Sequence, residues 1–248
     1  MENCEVAITP MNINEKLQKQ DVTGPADESL FRSIVGGLNY LTHTRPDIAF
    51  SVSKVSRFLH CPTKQHLGAS KRILRYVAGT AYKGIHYDMS SRFSLIGYTD
   101  SDWAGDLDDR KSTSGSVFLL GSGAVTWSSK KQDIVALSST EAEYVASGAA
   151  GRQAVWLRKL LADLGSVQEN ATILRCDNKS AISMTKNPAY HARTKHIEVS
   201  HHFIRGLVSS GKVELQFCGT DQNVDLFTKS LPQAKHQLFM ERIGVHDI

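Results

Sequence analysis

The chain has 248 residues, 41% apolar and 22% charged, a composition able to bury a core, and its length suits one large domain or two smaller ones. No apolar run approaches the roughly 20 residues that span a bilayer, and the polar opening MENCEVAITPMNINEKLQKQD is unlike a secretory leader. These features disfavour a membrane-spanning class, and an intracellular, non-secreted protein is expected.

Four scattered cysteines (Cys4, Cys61, Cys176, Cys218) form no C-x-x-C pair, which argues against a zinc ribbon or a disulfide framework. The net charge is +4, unevenly spread. Residues 1–44 hold three Lys/Arg against six Asp/Glu, residues 45–92 hold nine against two, and residues 93–248 hold seventeen of each. The middle segment is therefore a positive surface of the kind that follows a phosphate backbone. A solvated helix face has the same composition.

In chain order, residues 1–28 lack periodicity and read as an extended lead-in around Gly24 and Pro25. From Ser29, Phe31, Ile34, Val35, Leu38 and Leu41 recur at helical spacing. Pro46 suits the first turn of a second helix, which Pro62 stops. A third helix over about 64–78 carries Lys71, Arg72 and Arg75 along one basic edge. Residues 29–92 thus form an all-helical unit.

The pattern then changes. Residues 93–99 alternate as a strand ending at Asp100. Residues 115–120 and 124–129 form a hairpin across Gly121-Ser122-Gly123, and 133–137 extends that meander. A helix from about Thr140 is interrupted at Gly148 and Gly151. A buried strand over 172–176 ends at Asp177, a helix starts near Asn178, and another spans about 195–209. Val213, Leu215 and Phe217 alternate as a last strand, and a final helix begins near Asn223. Antiparallel strands followed by alternating helices and strands predict an α/β fold, a mixed sheet covered by helices on both faces, over residues 93–248.

Four acids fall where strands end or helices begin: Asp100, Glu141, Asp177 and Asp225. Ligand sites gather at such strand ends. Clustered carboxylates repel one another unless a cation joins them, and hard ions such as Mg2+ or Mn2+ prefer oxygen donors. Two such ions about 4 Å apart are what in-line phosphodiester cleavage calls for. Each acid also has a local role open to it. Glu141 fits a capping box with Ser138, Asp177 can cap the next helix, Asp100 belongs to an acidic loop, and Asp225 suits a helix start.

The surrounding words decide between these readings. Tyr98-Thr99-Asp100-Ser101-Asp102-Trp103-Ala104-Gly105-Asp106, Lys111-Ser112-Thr113-Ser114-Gly115, Leu137-Ser138-Ser139-Thr140-Glu141-Ala142-Glu143-Tyr144, Cys176-Asp177-Asn178-Lys179-Ser180-Ala181, Arg193-Thr194-Lys195-His196-Ile197 and Phe227-Thr228-Lys229 resemble, in order, the ribonuclease H region of copia-type retrotransposon Pol polyproteins. Upstream, Ser33-Ile34-Val35-Gly36-Gly37-Leu38-Asn39-Tyr40-Leu41, Thr44-Arg45-Pro46-Asp47 and Lys71-Arg72-Ile73-Leu74-Arg75-Tyr76 resemble the end of the same polyprotein's reverse transcriptase.

The resemblance implies a five-stranded ribonuclease H-like sheet preceded by a thumb-like helical unit. It implies Asp100, Glu141, Asp177 and Asp225 as ligands of two Mg2+ or Mn2+ ions, with Glu141 preferred to Glu143. It further implies an RNA–DNA hybrid as substrate and the reverse transcriptase core of the polyprotein as partner, in a cytoplasmic virus-like particle or the nucleus. Lys71, Arg72, Arg75, Lys111, Ser112 and Thr113 are the candidate hybrid contacts, and Trp103 is either another or a core residue.

Departures from the family set limits on this. The polymerase's paired aspartates are absent, so no DNA synthesis is expected. Gln222-Asn223-Val224-Asp225 lacks the family's Ala before the last aspartate, and a one-residue deletion at a helix start turns a side chain by about 100°. The alternative is therefore a catalytically inactive, nucleic-acid-binding remnant. No His stands between Cys218 and Asn223, where cellular relatives often keep one. His191, His196, His201 and His202 have no zinc-finger or H-E-x-x-H spacing. An integrase-type site is disfavoured because here the glutamate comes second of the four acids.

Overall fold

A computed structural model describes residues 4–90, 93–186, 203–219 and 223–248. The helical unit opens with α1 (Glu28–Leu41), where the Asp27 carboxylate accepts from the Leu30 amide at 3.0 Å. Phe31, Val35 and Leu38, spaced four and three apart, are its buried stripe. Pro46 opens a single 3-10 turn, Pro46–Ile48, that runs directly into α2 (Ala49–Ser56). α3 (Lys64–Gly79) starts with a reciprocal cap between Thr63 and His66, His66 Nδ1 accepting from the Thr63 amide at 3.0 Å.

Two short strands, β1 (Lys83–Ile85) and β7 (Val245–Asp247), pair antiparallel and bring the segment after α3 against the end of the chain. The main sheet holds β2 (Leu95–Ser101), β3 (Thr113–Leu120), β4 (Gly123–Lys131), β5 (Thr172–Cys176) and β6 (Val213–Phe217). Their order is β4-β3-β2-β5-β6. β2, β3 and β4 are antiparallel, whereas β5 joins β2 and β6 joins β5 in parallel. This mixed five-stranded sheet is the α/β arrangement expected from the sequence. Gly121, at φ 66°, makes the tight turn between β3 and β4.

One sheet face is covered by α4 (Ser139–Asp163), α5 (Lys179–Lys186) and α6 (Phe203–Ser209), which pack on Leu95, Phe118, Leu174 and Leu215. The helical unit and α7 (Gln233–Arg242) cover the other. There Val117 and Leu119 of β3 share one core with Phe31, Val35, Val52 and Ile73, and with Val224, Phe227 and Phe239. Ala7, Met11 and Leu17 of the lead-in are buried in the same core. The lead-in, the helical unit and the sheet are thus joined by common burial, the main stabilising term in folding.

Polar ties act both within the helical unit and across that joint. Arg45 grips Asp47 with two nitrogens, at 2.9 and 2.7 Å, and Tyr76 Oη donates to the same carboxylate at 2.7 Å. Arg57 Nη1 lies 2.9 Å from Asp106, and Trp127 Nε1 donates to the Thr42 carbonyl at 2.9 Å.

Beyond β1, a strand inside residues 29–92 that were expected to be all-helical, three elements differ from the sequence expectation. α4 runs unbroken through Gly148 and Gly151. A Cβ at Gly151 would lie 2.6 Å from Ile204 Cδ1, so this glycine admits α6 and the helix bears its propensity cost of about 1 kcal/mol. Residues 133–137 are a connection instead of a strand. Where the chain leaves β4, the Gln132 Nε2 amide, with two N–H groups, lies within hydrogen-bond distance of Ser101 Oγ, Ser114 Oγ and the Ala142 carbonyl. The last helix is split into a 3-10 turn, Asn223–Phe227, and α7. The first part of the helix expected over 195–209, the Arg193–Ile197 word and the four clustered histidines lie outside the described residues.

Candidate active site

Asp100 occupies the sixth position of the seven-residue β2 and is 3% exposed. The parallel register Tyr98↔Arg175 sets Asp177, just past β5, beside Asp100 at the same sheet edge. On the other side β3 presents Gly115 opposite Asp100. A Cβ at Gly115 would meet Thr228 Cγ2 at 2.7 Å and Phe227 Cβ at 3.0 Å. Its absence lets the 3-10 turn close on the strand, so that Thr228 Oγ1 donates to Asp100 Oδ2. Asp225, 4% exposed, comes with that turn, and Lys229 Nζ reaches its Oδ1 at 3.1 Å and Asp100 Oδ2 at 3.9 Å. Despite the missing residue before it, Asp225 sits with Asp100.

The glutamate of this cluster is Glu143. Its Oε1 accepts from the Ser101 amide at 2.8 Å, and Cys176 Sγ donates to its Oε2 at 3.7 Å. Glu141, the residue preferred from the sequence, is turned elsewhere: its Oε2 accepts from the Leu137 amide at 2.9 Å, at the start of its own helix. Residues two apart on a helix are about 200° apart around the axis, so only one of the pair can face the sheet edge. A signal for this lies in the sequence. Glu143 stands on the helically spaced stripe Ser147, Ala150, Ala154, Leu157 and Leu161, which packs toward the sheet, whereas Glu141, though also buried, lies off that stripe.

Electrostatics mark the cluster as incomplete. Burial, then the Asp100 and Asp177 charges, push Glu143 up to about 9. Burial raises Asp225 to about 6 against the pull of Lys229, with Asp100 adding to the rise. Asp177 is raised by burial and then by Asp100. Lys229 is raised because Asp100 and Asp225 outweigh its own desolvation. Four carboxylates so arranged are in want of positive charge. Glu143, Cys176 and Asp177 offer ligand atoms that all lie within 4.8 Å of one another. With the buried thiol of Cys176 pushed far up by burial and by Glu143, the usable donors are carboxylate oxygens. That set fits Mg2+ or Mn2+.

The candidate hybrid contacts are differently placed. Arg72 Nη2 donates to Thr9 Oγ1 at 3.0 Å, and Arg75 bonds the Glu5 carbonyl and pairs with its carboxylate, so the lead-in lies along the basic edge of α3. Lys71 stays exposed. Ser112 and Thr113 are fully buried: Ser112 Oγ accepts from Ala104, and Thr113 Oγ1 accepts from Arg57. Lys111 remains partly exposed. Trp103 is 57% exposed, with Nε1 on the Ala136 carbonyl at 3.2 Å, and is not a core residue. Much of the positive segment is spent internally, since Arg45, Lys54, Arg57 and Lys83 also bond within the chain. Among the described residues no helix is long and apolar enough to cross a membrane.

No family model matches the chain. It is 44% identical over 238 residues to the retrovirus-related Pol polyprotein from transposon RE1 of Arabidopsis thaliana, a match covering 96% of this chain and 16% of that protein. It is 41% identical over 254 residues to the corresponding polyprotein from transposon TNT 1-94 of Nicotiana tabacum, covering 99% of this chain and 19% of that one. The N-terminal RNase H domain of a Mycobacterium tuberculosis protein aligns at 12% identity and a TM-score of 0.39, over 60% of this chain and 98% of that domain. The chain spans less than a fifth of the length of the curated polyproteins it matches. By identity sustained along almost its whole length, the chain belongs to the copia-type retrotransposon Pol polyprotein family, of which it matches one portion.

Proposed function

We propose that this chain hydrolyses the RNA strand of RNA–DNA hybrids in a divalent-metal-dependent reaction, as part of a reverse-transcribing polyprotein inside the cell. The observation that carries this reading is the convergence of Asp100, Glu143, Asp177 and Asp225 at one edge of the sheet. These four would hold two ions. When bound, the ions supply an activated water and neutralise charge on the departing oxygen. The chain's own residues do the positioning. The Ser101 amide fixes Glu143, Thr228 orients Asp100, and the packed flanks of Asp225 keep its carboxylate at the sheet edge. In the reaction, water oxygen bonds to phosphorus and the P–O3′ bond breaks, leaving a 5′-phosphate and a 3′-hydroxyl. The reverse transcriptase core of the polyprotein is the proposed partner that delivers the hybrid.

The test is cleavage of a labelled hybrid by the purified chain with Mg2+ or Mn2+, with double-stranded DNA as control. Hybrid is expected to be cut and DNA spared, and Asp177→Asn to abolish cutting. Cleavage that survives this substitution would overturn the proposal. Salt-sensitive hybrid binding with no cleavage under any ion would instead support the inactive remnant.

A further inference from the structure

Within the proposed metal centre, two carboxylates share a cation that the chain supplies itself. Lys229 follows Asp225 by one turn, its amide donating to the Asp225 carbonyl at 3.2 Å. Its Nζ lies 3.1 Å from Asp225 Oδ1 and 3.9 Å from Asp100 Oδ2. The two acids are held rigidly, with side chains 6% and 5% exposed, whereas the lysine side chain is 48% exposed. An ammonium on a flexible, half-solvated stem can leave such a pair at small cost. The Glu143–Asp177 side of the cluster has no such resident: among the described residues the ion pairs to these acids are those of Lys229 with Asp100 and Asp225.

We infer that Lys229 is a built-in counter-cation, holding between Asp100 and Asp225 the place that one divalent ion must take. The site then loads in order. An ion on the Glu143–Asp177 side meets two carboxylates and the Cys176 thiol, while an ion on the Asp225 side must first displace the ammonium. This rests on the metal-centre reading above, and it makes Lys229 a positioning residue whose effect is on ion occupancy. A residue serving only to contact the nucleic-acid backbone would leave ion binding in the free protein untouched.

The experiment is Mn2+ binding to the full chain without nucleic acid, followed by electron paramagnetic resonance and titration calorimetry. Wild type is expected to show a tighter and a weaker site. Lys229→Met, which keeps the length and removes the charge, should tighten the weaker site by about five- to tenfold. Lys229→Arg should restore the wild-type difference. Superposable isotherms for wild type and Lys229→Met, or weaker binding in Lys229→Met, would overturn the inference while leaving the metal centre intact. Failure of the wild type itself to bind Mn2+ would overturn the metal centre, and this inference with it. The half-exposed position makes Lys229→Met unlike a core substitution, and matching urea unfolding midpoints would show that both variants fold.

Discussion

The Glu143 carboxylate is fastened to the end of β2 by the Ser101 amide, 2.8 Å from its Oε1. This one bond carries the glutamate from α4 to the strand that bears Asp100, and it separates Glu143 from its neighbour Glu141. Glu143→Gln keeps the shape and removes the charge, and is expected to lower hybrid cleavage by at least about a hundredfold. Glu141→Gln should retain activity within a few-fold and cost about 1 kcal/mol of stability through the N-terminal contact of α4. Cleavage rates of the two variants, measured side by side, check the assignment, and the reverse ranking would reject it.

Gly115 is the gap through which the fourth carboxylate arrives. A methyl there would meet Thr228 Cγ2 at 2.7 Å and Phe227 Cβ at 3.0 Å. Gly115→Ala should push the 3-10 turn outward, cost about 1–3 kcal/mol by overpacking, and lower kcat more than it raises KM. Urea denaturation alongside steady-state cleavage separates the two effects.

Arg45 and Asp47 form a two-bonded ion pair with side chains 7% and 0% exposed. Removing one partner strands the other charge in the core. Arg45→Ala is therefore expected to destabilise the whole chain by about 3–5 kcal/mol. Because the helical unit shares its core with the sheet, the loss should show as one cooperative transition in far-ultraviolet circular dichroism and in tryptophan fluorescence. Two separate transitions would contradict the shared core.

Asp106 gives the fold a dependence on acid. Burial alone would raise it, but Lys131 and Arg57, each 2.9 Å away, hold it well below its ordinary value of 3.8. A carboxylate depressed in the folded state contributes stability that is present above its unfolded value and is lost as pH falls through its folded one. Unfolding midpoints should drop below about pH 4 in wild type. Asp106→Asn should be less stable at pH 7 by about 3 kcal/mol and show a flatter acid limb. An unchanged acid limb in the variant would rule out Asp106 as its source.

The sequence by itself determined the strands that end at Asp100 and Asp177, because period-two burial and strand ends are local properties that propensity and spacing record. It also determined the run of helices and strands that makes a mixed sheet. The choice of glutamate was only hinted at by the helical stripe of α4 and was decided by the tertiary structure. Glu141 and Glu143 both suit a helix start, and only the docking of α4 on β2 says which faces the sheet edge. The position of Asp225 was decided in the same way. A missing residue would misdirect a regular helix, but burial of Val224, Leu226 and Phe227 in the core shared with the helical unit draws the segment into a 3-10 turn that aims the carboxylate at Asp100. The fate of the basic edge was likewise non-local. Arg72 and Arg75 look like free cations along α3, yet their partners Thr9 and Glu5 lie more than sixty residues away in the chain. Local pattern sets the elements, and long-range burial and pairing decide which of their side chains meet.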